Sequence, residues 1–279
     1  MKLKFTKMHG CGNDYIYFNC FEEKINDPGA LSVKLSDRRY GIGSDGIILI
    51  CPSDIADAKM RMFNVDGSEG KMCGNGIRCV GKYLYDNNMV KNNEITIETL
   101  SGVKTLKVAP KNDEAEFLTV DMGKAEFLSY KIPVNIESDK VINREMIFGG
   151  KSYNITCVSM GNPHCVVFCD DIESIDINKI GPEFENSKLF PEKVNTEFVK
   201  VIDEKTLDMR VWERGSGETF ACGTGASAVV AAAVVNGICK ENDEVTVNLK
   251  GGTLKIKYTD SSVYMTGEAK KVFEGVIEV

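Results

Sequence analysis

Cys73-Gly74-Asn75-Gly76-Ile77-Arg78-Cys79 has a partner 149 residues further on, Cys222-Gly223-Thr224-Gly225-Ala226-Ser227-Ala228. The same offset aligns Arg61 with Arg210 and Glu69 with Glu218, which makes five identities in sixteen columns without a gap. It also pairs Gly12-Asn13 with Gly161-Asn162, each leading into an apolar run, Tyr15 to Phe18 and Cys165 to Phe168. A glycine-rich turn matches another by chance often enough. Two clusters in one register point instead to an internal duplication. Each half is too long for a solenoid repeat, so the expectation is two similar lobes about an approximate two-fold axis, with the cleft between them carrying both Cys motifs.

Short alternating or β-branched runs bounded by Gly, Asn, Asp or Pro recur along the chain: 46–50, 94–99, 103–109, 117–122, 206–212, 245–249, 253–258 and 263–267. They read as strands, mostly joined by hairpins. Helical spacing is clearest after each Cys motif, in 77–84 and 226–235, the second stopping at Asn236-Gly237. A stretch apolar on every side belongs inside something. The fold class expected is therefore α+β, each lobe a curled, mostly antiparallel sheet around a central helix. The N-terminal lobe is placed at 1–122 with 268–279 and the C-terminal lobe at 123–267, the last segment returning to the first lobe.

The composition narrows the chemistry. The chain has 279 residues, 43% of them apolar, and a formal charge of −7 without any Lys/Arg block, so no nucleic-acid or anionic-membrane partner is indicated. A small-molecule substrate fits better. No apolar stretch is long enough to span a bilayer and the N-terminus has no signal core, which predicts a cytoplasmic protein. Ten cysteines in such a chain read as reduced thiols. None has C-x-x-C spacing and only His9 and His164 could assist them, so no metal site is expected. Cys20, Cys51, Cys79, Cys165, Cys169 and Cys239 read as buried small hydrophobes, and packing is also favoured for Cys11 and Cys157.

Cys73 and Cys222 differ from these because each sits where a turn gives way to a helix. The glycines permit close approach, and the helix start directs N–H groups and partial positive charge outward, so each motif combines a reactive sulfur with a seat for an anion. One such motif would suggest a nucleophile. Two suggest a base and an acid that remove an α-proton from one face of a carbon and return it to the other. N–H groups aimed at the α-carboxylate would stabilise the enolate-like charge without a cofactor. The two thiols would titrate as a coupled pair.

These motifs, with Gly10-Cys11-Gly12-Asn13-Asp14, Phe63-Asn64-Val65-Asp66-Gly67-Ser68-Glu69, Met160-Gly161-Asn162-Pro163-His164 and Glu213-Arg214-Gly215, closely resemble the diaminopimelate epimerases over nearly the whole chain. The resemblance implies cofactor-independent interconversion of LL- and meso-diaminopimelate, in the pathway to lysine and, in many bacteria, to peptidoglycan. It implies that Cys73 and Cys222 are the catalytic pair and that His164 and Glu213 tune the thiols. Substrate contacts implied are Asn13, Asn64, Gly74, Asn75, Asn162, Asn195, Glu213, Arg214, Gly223 and Thr224, with Arg214 suited to the distal carboxylate and Glu213 to the distal ammonium. Some members carry Gln where this chain has Gly46. Members are often homodimers, and Phe273 matches an aromatic interface position, although core packing accounts for it equally. Two other readings stand beside this one: a proline or hydroxyproline racemase of the same fold, which would lack the Glu213-Arg214 pair, and a non-catalytic thiol redox sensor.

Overall fold

The computed structural model describes residues 2–279, leaving Met1 outside it, and it contains one run of elements twice. The described chain divides into a unit formed by residues 2–120 with Thr266–Val279 and a unit formed by Asp121–Met265. The first run is β1 (Lys2–Gly10), β2 (Asn13–Asn19), α1 (Pro28–Ser36), β3 (Gly46–Cys51), β4 (Ala58–Asn64), β5 (Glu69–Gly70), α2 (Gly74–Asp86), β6 (Glu94–Thr99), β7 (Gly102–Lys111) and β8 (Glu114–Asp121). After β9 (Arg144–Phe148) the second run is β10 (Lys151–Ser159), β11 (Pro163–Phe168), α3 (Ile177–Glu185), β12 (Asn195–Asp203), β13 (Thr206–Glu213), β14 (Gly217–Glu218), α4 (Gly223–Val235), β15 (Glu244–Leu249), β16 (Gly252–Tyr258) and β17 (Val263–Glu268). Both helices of the second run begin and end 149 residues after those of the first. The C-terminal strand β18 (Lys270–Glu278) lies antiparallel on β1, the position that β9 takes on β10.

Strand pairing repeats too. β1–β2 and β10–β11 are antiparallel, β2–β3 and β11–β12 parallel, β3–β4 and β12–β13 antiparallel, and β4–β6 and β13–β15 parallel. The hairpin-dominated expectation therefore gives way at two places in each unit. Parallel neighbours need a crossover, and α1 and α3 supply the first while α2 and α4 supply the second. Neither α1 nor α3 stands out in the sequence, because each is nine residues long and α3 contains Pro182. Their N-caps are legible afterwards: the Asp27 carboxylate accepts from Ala30 N and Asp176 from Lys179 N.

Crossovers on both faces bury the central strands completely, which is why β2 and β3 are runs of apolar residues and not alternations. Alternation still decides which helix each residue meets. Ile16, Phe18, Ile47 and Leu49 join the α1-side core with Leu31 and Leu35, so Tyr15, Tyr17, Ile48 and Ile50 face α2. In the second unit Cys165, Val167 and Phe198 join the α3-side core, so His164 and Glu197 face α4. The α4 helix is buried on nearly every side from Gly223 to Ala233, as its all-round apolar sequence requires, and Asn236 with left-handed Gly237 closes it.

The duplicated charges form matching ion pairs, Arg61–Glu69 at 2.7 Å and Arg210–Glu218 at 2.9 Å. Gly46 opens β3 where a Cβ would stand 2.1 Å from the Phe63 carbonyl oxygen, so no side chain fits at that point. Cys79, Cys157, Cys165 and Cys239 are buried, whereas Cys20, Cys51 and Cys169 correct the expectation of full burial: at or just past strand ends, they are partly buried and pack against the edges of the apolar cores. Among the described residues the ten cysteines form no disulfide. Among the described residues no helix is long and apolar enough to cross a membrane.

Candidate active site

In the first unit, Cys73 is the N-cap residue of α2, with extended backbone and a sulfur that accepts from Gly76 N at 3.3 Å. Its thiol donates to Asn13 Oδ1 at 3.2 Å, and the Asn13 amide donates in turn to Asp45 Oδ2 at 2.8 Å. Arg38 bonds that Asp45 and also Asp14, whose carboxyl is held below its usual range because Arg38 and Lys7 outweigh its partial burial. The phenol of Tyr15 is pushed well up by burial, with Cys73 beside it. Arg78, wholly buried, bonds Gly74 O at 3.1 Å and Asn75 Oδ1 at 3.0 Å, bracing the first turn of α2. Asn64 stands apart from this network, its amide donating to Ser68 Oγ at 3.0 Å.

In the second unit, Cys222 is the N-cap residue of α4 and its sulfur lies 3.4 Å from Thr224 Oγ1. Thr224 also receives the Asn162 amide at 3.4 Å, and the other end of Asn162, Oδ1, meets His164 Nε2 at 3.1 Å. His164 Nδ1 closes on Glu197 Oε1 at 2.7 Å, and neither side chain has any exposure. Glu213, at the end of β13, accepts from Thr219 Oγ1 at 2.5 Å. Asn195 donates to Pro163 O at 3.0 Å and accepts from Arg214 N at 3.1 Å, while the exposed Arg214 guanidinium rests on Glu192 O at 2.8 Å.

The structure thus gathers Asn13, Cys73, Gly74 and Asn75 around one helix start, and Asn162, His164, Glu213, Cys222, Gly223 and Thr224 around the other. Several neighbours escaped the sequence reading: Asp45, Tyr15, Arg78, Thr219 and Glu197. Glu197 had a signal, a carboxylate between Asn195-Thr196 and the apolar Phe198-Val199 where a strand buried on both faces was due. Among the described residues no group of three or more His, Cys, Asp or Glu side chains is placed to hold a metal ion.

Burial drives the Cys222 thiol well above its ordinary range, and the charges of Glu213 and Glu197 add to this, while Thr224 and the Gly225 N–H pull it down. Burial likewise raises the Glu213 carboxyl. A thiol whose pKa lies above the working range gains thiolate about tenfold per pH unit, since only the thiolate is alkylated. Iodoacetamide labelling followed peptide by peptide should therefore show the Cys222 rate climbing about tenfold per unit from pH 7 to 9. A rate already level by pH 8 would contradict this electrostatic reading.

The sequence signature of the family described as diaminopimelate epimerase matches residues 5–128 and 156–272. Curated relatives include the diaminopimelate epimerase of Acetivibrio thermocellus, 51% identical over 99% of both chains, and that of Methanococcus maripaludis strain C6, 52% identical over 99% of this chain and 100% of its own. Among solved structures, a hydroxyproline epimerase from Agrobacterium vitis is similar with a TM-score of 0.73 at 14% identity, covering 99% of this chain and 92% of its own. A Bacillus anthracis phenazine biosynthesis protein is similar with a TM-score of 0.72 at 16% identity over 100% of both. At such identities these two likenesses concern the fold alone, the curled sheets and paired helices described above. By its full-length identity to curated members and its match to the family signature, this chain belongs to the diaminopimelate epimerase family.

Proposed function

We propose that this chain epimerises LL-diaminopimelate to meso-diaminopimelate, a step in making lysine and a peptidoglycan precursor, using Cys73 and Cys222 as base and acid on opposite faces of the α-carbon. The observation that carries the reading is the twice-built thiol at a helix start in a chain half identical to curated diaminopimelate epimerases. One sulfur, as thiolate, takes the α-proton; the other, as thiol, gives its proton to the opposite face. The enzyme then holds the proton on the other sulfur, so the reverse direction uses the same groups with roles exchanged.

The carbanion is the costly species. Backbone N–H groups of Gly74-Asn75 and Gly223-Thr224, at the positive ends of α2 and α4, would bind the α-carboxylate as it takes on enolate charge, each well-aimed donor contributing about 3 kcal/mol. Asn13 and Asn162 sit beside the two sulfurs and would orient both thiol and substrate. His164 and Glu213 would set the charge around Cys222. Glu213 and Arg214 would clamp the distal ammonium and carboxylate, with Asn64 and Asn195 completing the clamp. An imino acid such as proline has no distal group for that pair to hold, which sets the racemase alternative second. Cofactor-free chemistry belongs to this reading, because the donors named replace an electron sink.

The homodimer belongs here too. Val272, Phe273 and Val276 of β18 are all exposed, and Phe273 meets Phe5 of β1 edge-on at 5.8 Å, so a second copy would find exposed apolar side chains along this strand. Sedimentation should give the mass of two chains for the wild type and of one chain for Phe273→Lys; a monomeric wild type would remove the proposal.

The function is tested by proton NMR of LL-diaminopimelate in deuterium oxide with no cofactor added. The wild type should exchange the α-proton and form the meso isomer, and Cys73→Ala and Cys222→Ala should each be slower by about a thousandfold or more. Exchange of proline in place of diaminopimelate would establish the racemase. Full activity in either variant would sink the two-thiol mechanism.

A further inference from the structure

The duplication allows the two thiols to be compared position by position. Under the 149-residue offset Cys73 meets Cys222, Gly76 meets Gly225, Asn13 meets Asn162, Tyr15 meets His164 and Ile48 meets Glu197. The last pair occupies one place in the two units. A Cβ at Gly76 would stand 2.6 Å from Ile48 Cδ1, and a Cβ at Gly225 would stand 2.6 Å from Glu197 Oε1. The first unit thus has a methyl group beneath its helix start, and the second has a carboxylate.

Burying a carboxylate is costly unless it is paired and hydrogen-bonded, and an apolar side chain does the packing without that cost, as Ile48 shows. Glu197 is only half compensated. One oxygen meets His164, and the other, Oε2, is buried without a hydrogen-bond partner. The same hypothetical Cβ at Gly225 lies 3.3 Å from Cys222 Sγ, so carboxylate oxygen and sulfur are at most about 6 Å apart, within the range over which like charges oppose one another. Gly225 is thereby required: any side chain would drive into the carboxylate or the thiol.

We propose that Glu197 is a positioning residue that works through Cys222: its buried carboxylate anchors the His164 ring against Asn162 and keeps Cys222 in its thiol form until substrate arrives. Glu213 from β13, Glu197 from β12, and Thr224 with the Gly225 N–H from α4 itself act on that sulfur, and His164 from β11 is held on the Glu197 carboxylate. The Cys73 side of the duplication has no acid at the matching position, so the two equivalent cysteines differ before any substrate binds, and Cys222 is the one that begins as proton donor. This rests on the reading of Cys222 as a catalytic group.

The test is the rate at which each cysteine is alkylated by iodoacetamide at pH 7.5, in wild type, Glu197→Gln and Glu197→Met. Gln keeps an acceptor for His164 without the charge; Met fills the space as Ile48 does in the sister unit and protects the test if Gln does not fold. Both variants should raise the Cys222 rate about tenfold or more and leave Cys73 within about twofold. Both should lower kcat with little change in KM, which loss of packing alone would not produce. An unchanged Cys222 rate in folded variants overturns the proposal whatever the activity does. A faster rate in a protein whose Cys222→Ala variant is fully active would keep the coupling and overturn the two-thiol mechanism instead.

Discussion

Everything about the site depends on a cysteine placed as the first residue before a buried helix. The helix start offers N–H groups and a positive field, and burial removes the water that would otherwise stabilise a thiolate. These two influences oppose each other, so a sulfur held there can exist in either protonation state, and its neighbours decide. At Cys222 burial prevails and two carboxylates reinforce it. The fold exists to hold α2 and α4 at the level where this balance operates, pressed against strands whose alternate residues reach the first turn.

The alternation is strict in its consequences. A one-residue slip in β11 or β12 would send His164 and Glu197 to the α3 side and bring Cys165 and Phe198 under α4. Register is fixed by the covering helices on both faces, each demanding its own set of apolar side chains. The duplication then preserved the backbone while the polar residues diverged: Tyr15 became matched by His164, Ile48 by Glu197, and Asn64 by Glu213. Two starting copies of one thiol site have acquired different surroundings. In the proposed reaction, which needs one sulfur ionised and one protonated, such a difference would decide which sulfur holds the proton at rest.

Much of this was legible in the sequence because the duplication acted as an internal comparison. The α+β class, the thiol-bearing helices and eight of the eighteen strands follow from spacing, and α4 from its unbroken apolar run. Short α1 and α3 were not legible: their apolar stripes are brief, and Pro182 argues against a helix that its neighbours nonetheless stabilise. Among site residues, those in glycine-rich motifs could be named. Glu197, Asp45 and Arg78 could not, since a charged residue in a strand or helix declares its role only when the tertiary structure shows what it touches. Gly46 illustrates the converse, a position where Asn195 in the other unit bonds Pro163 and Arg214 but where the Phe63 carbonyl leaves room only for hydrogen.

The claim at the centre is that two different groups handle the proton on the two faces of one carbon. It is tested most directly by starting the reaction with protiated LL-diaminopimelate in deuterium oxide and measuring, in the first few per cent of conversion, where deuterium appears. With two exchanging thiols the meso product carries deuterium at the inverted centre and the remaining LL substrate carries none. Deuterium entering the substrate as fast as the product, or product that retains the original proton, would mean that one base serves both faces.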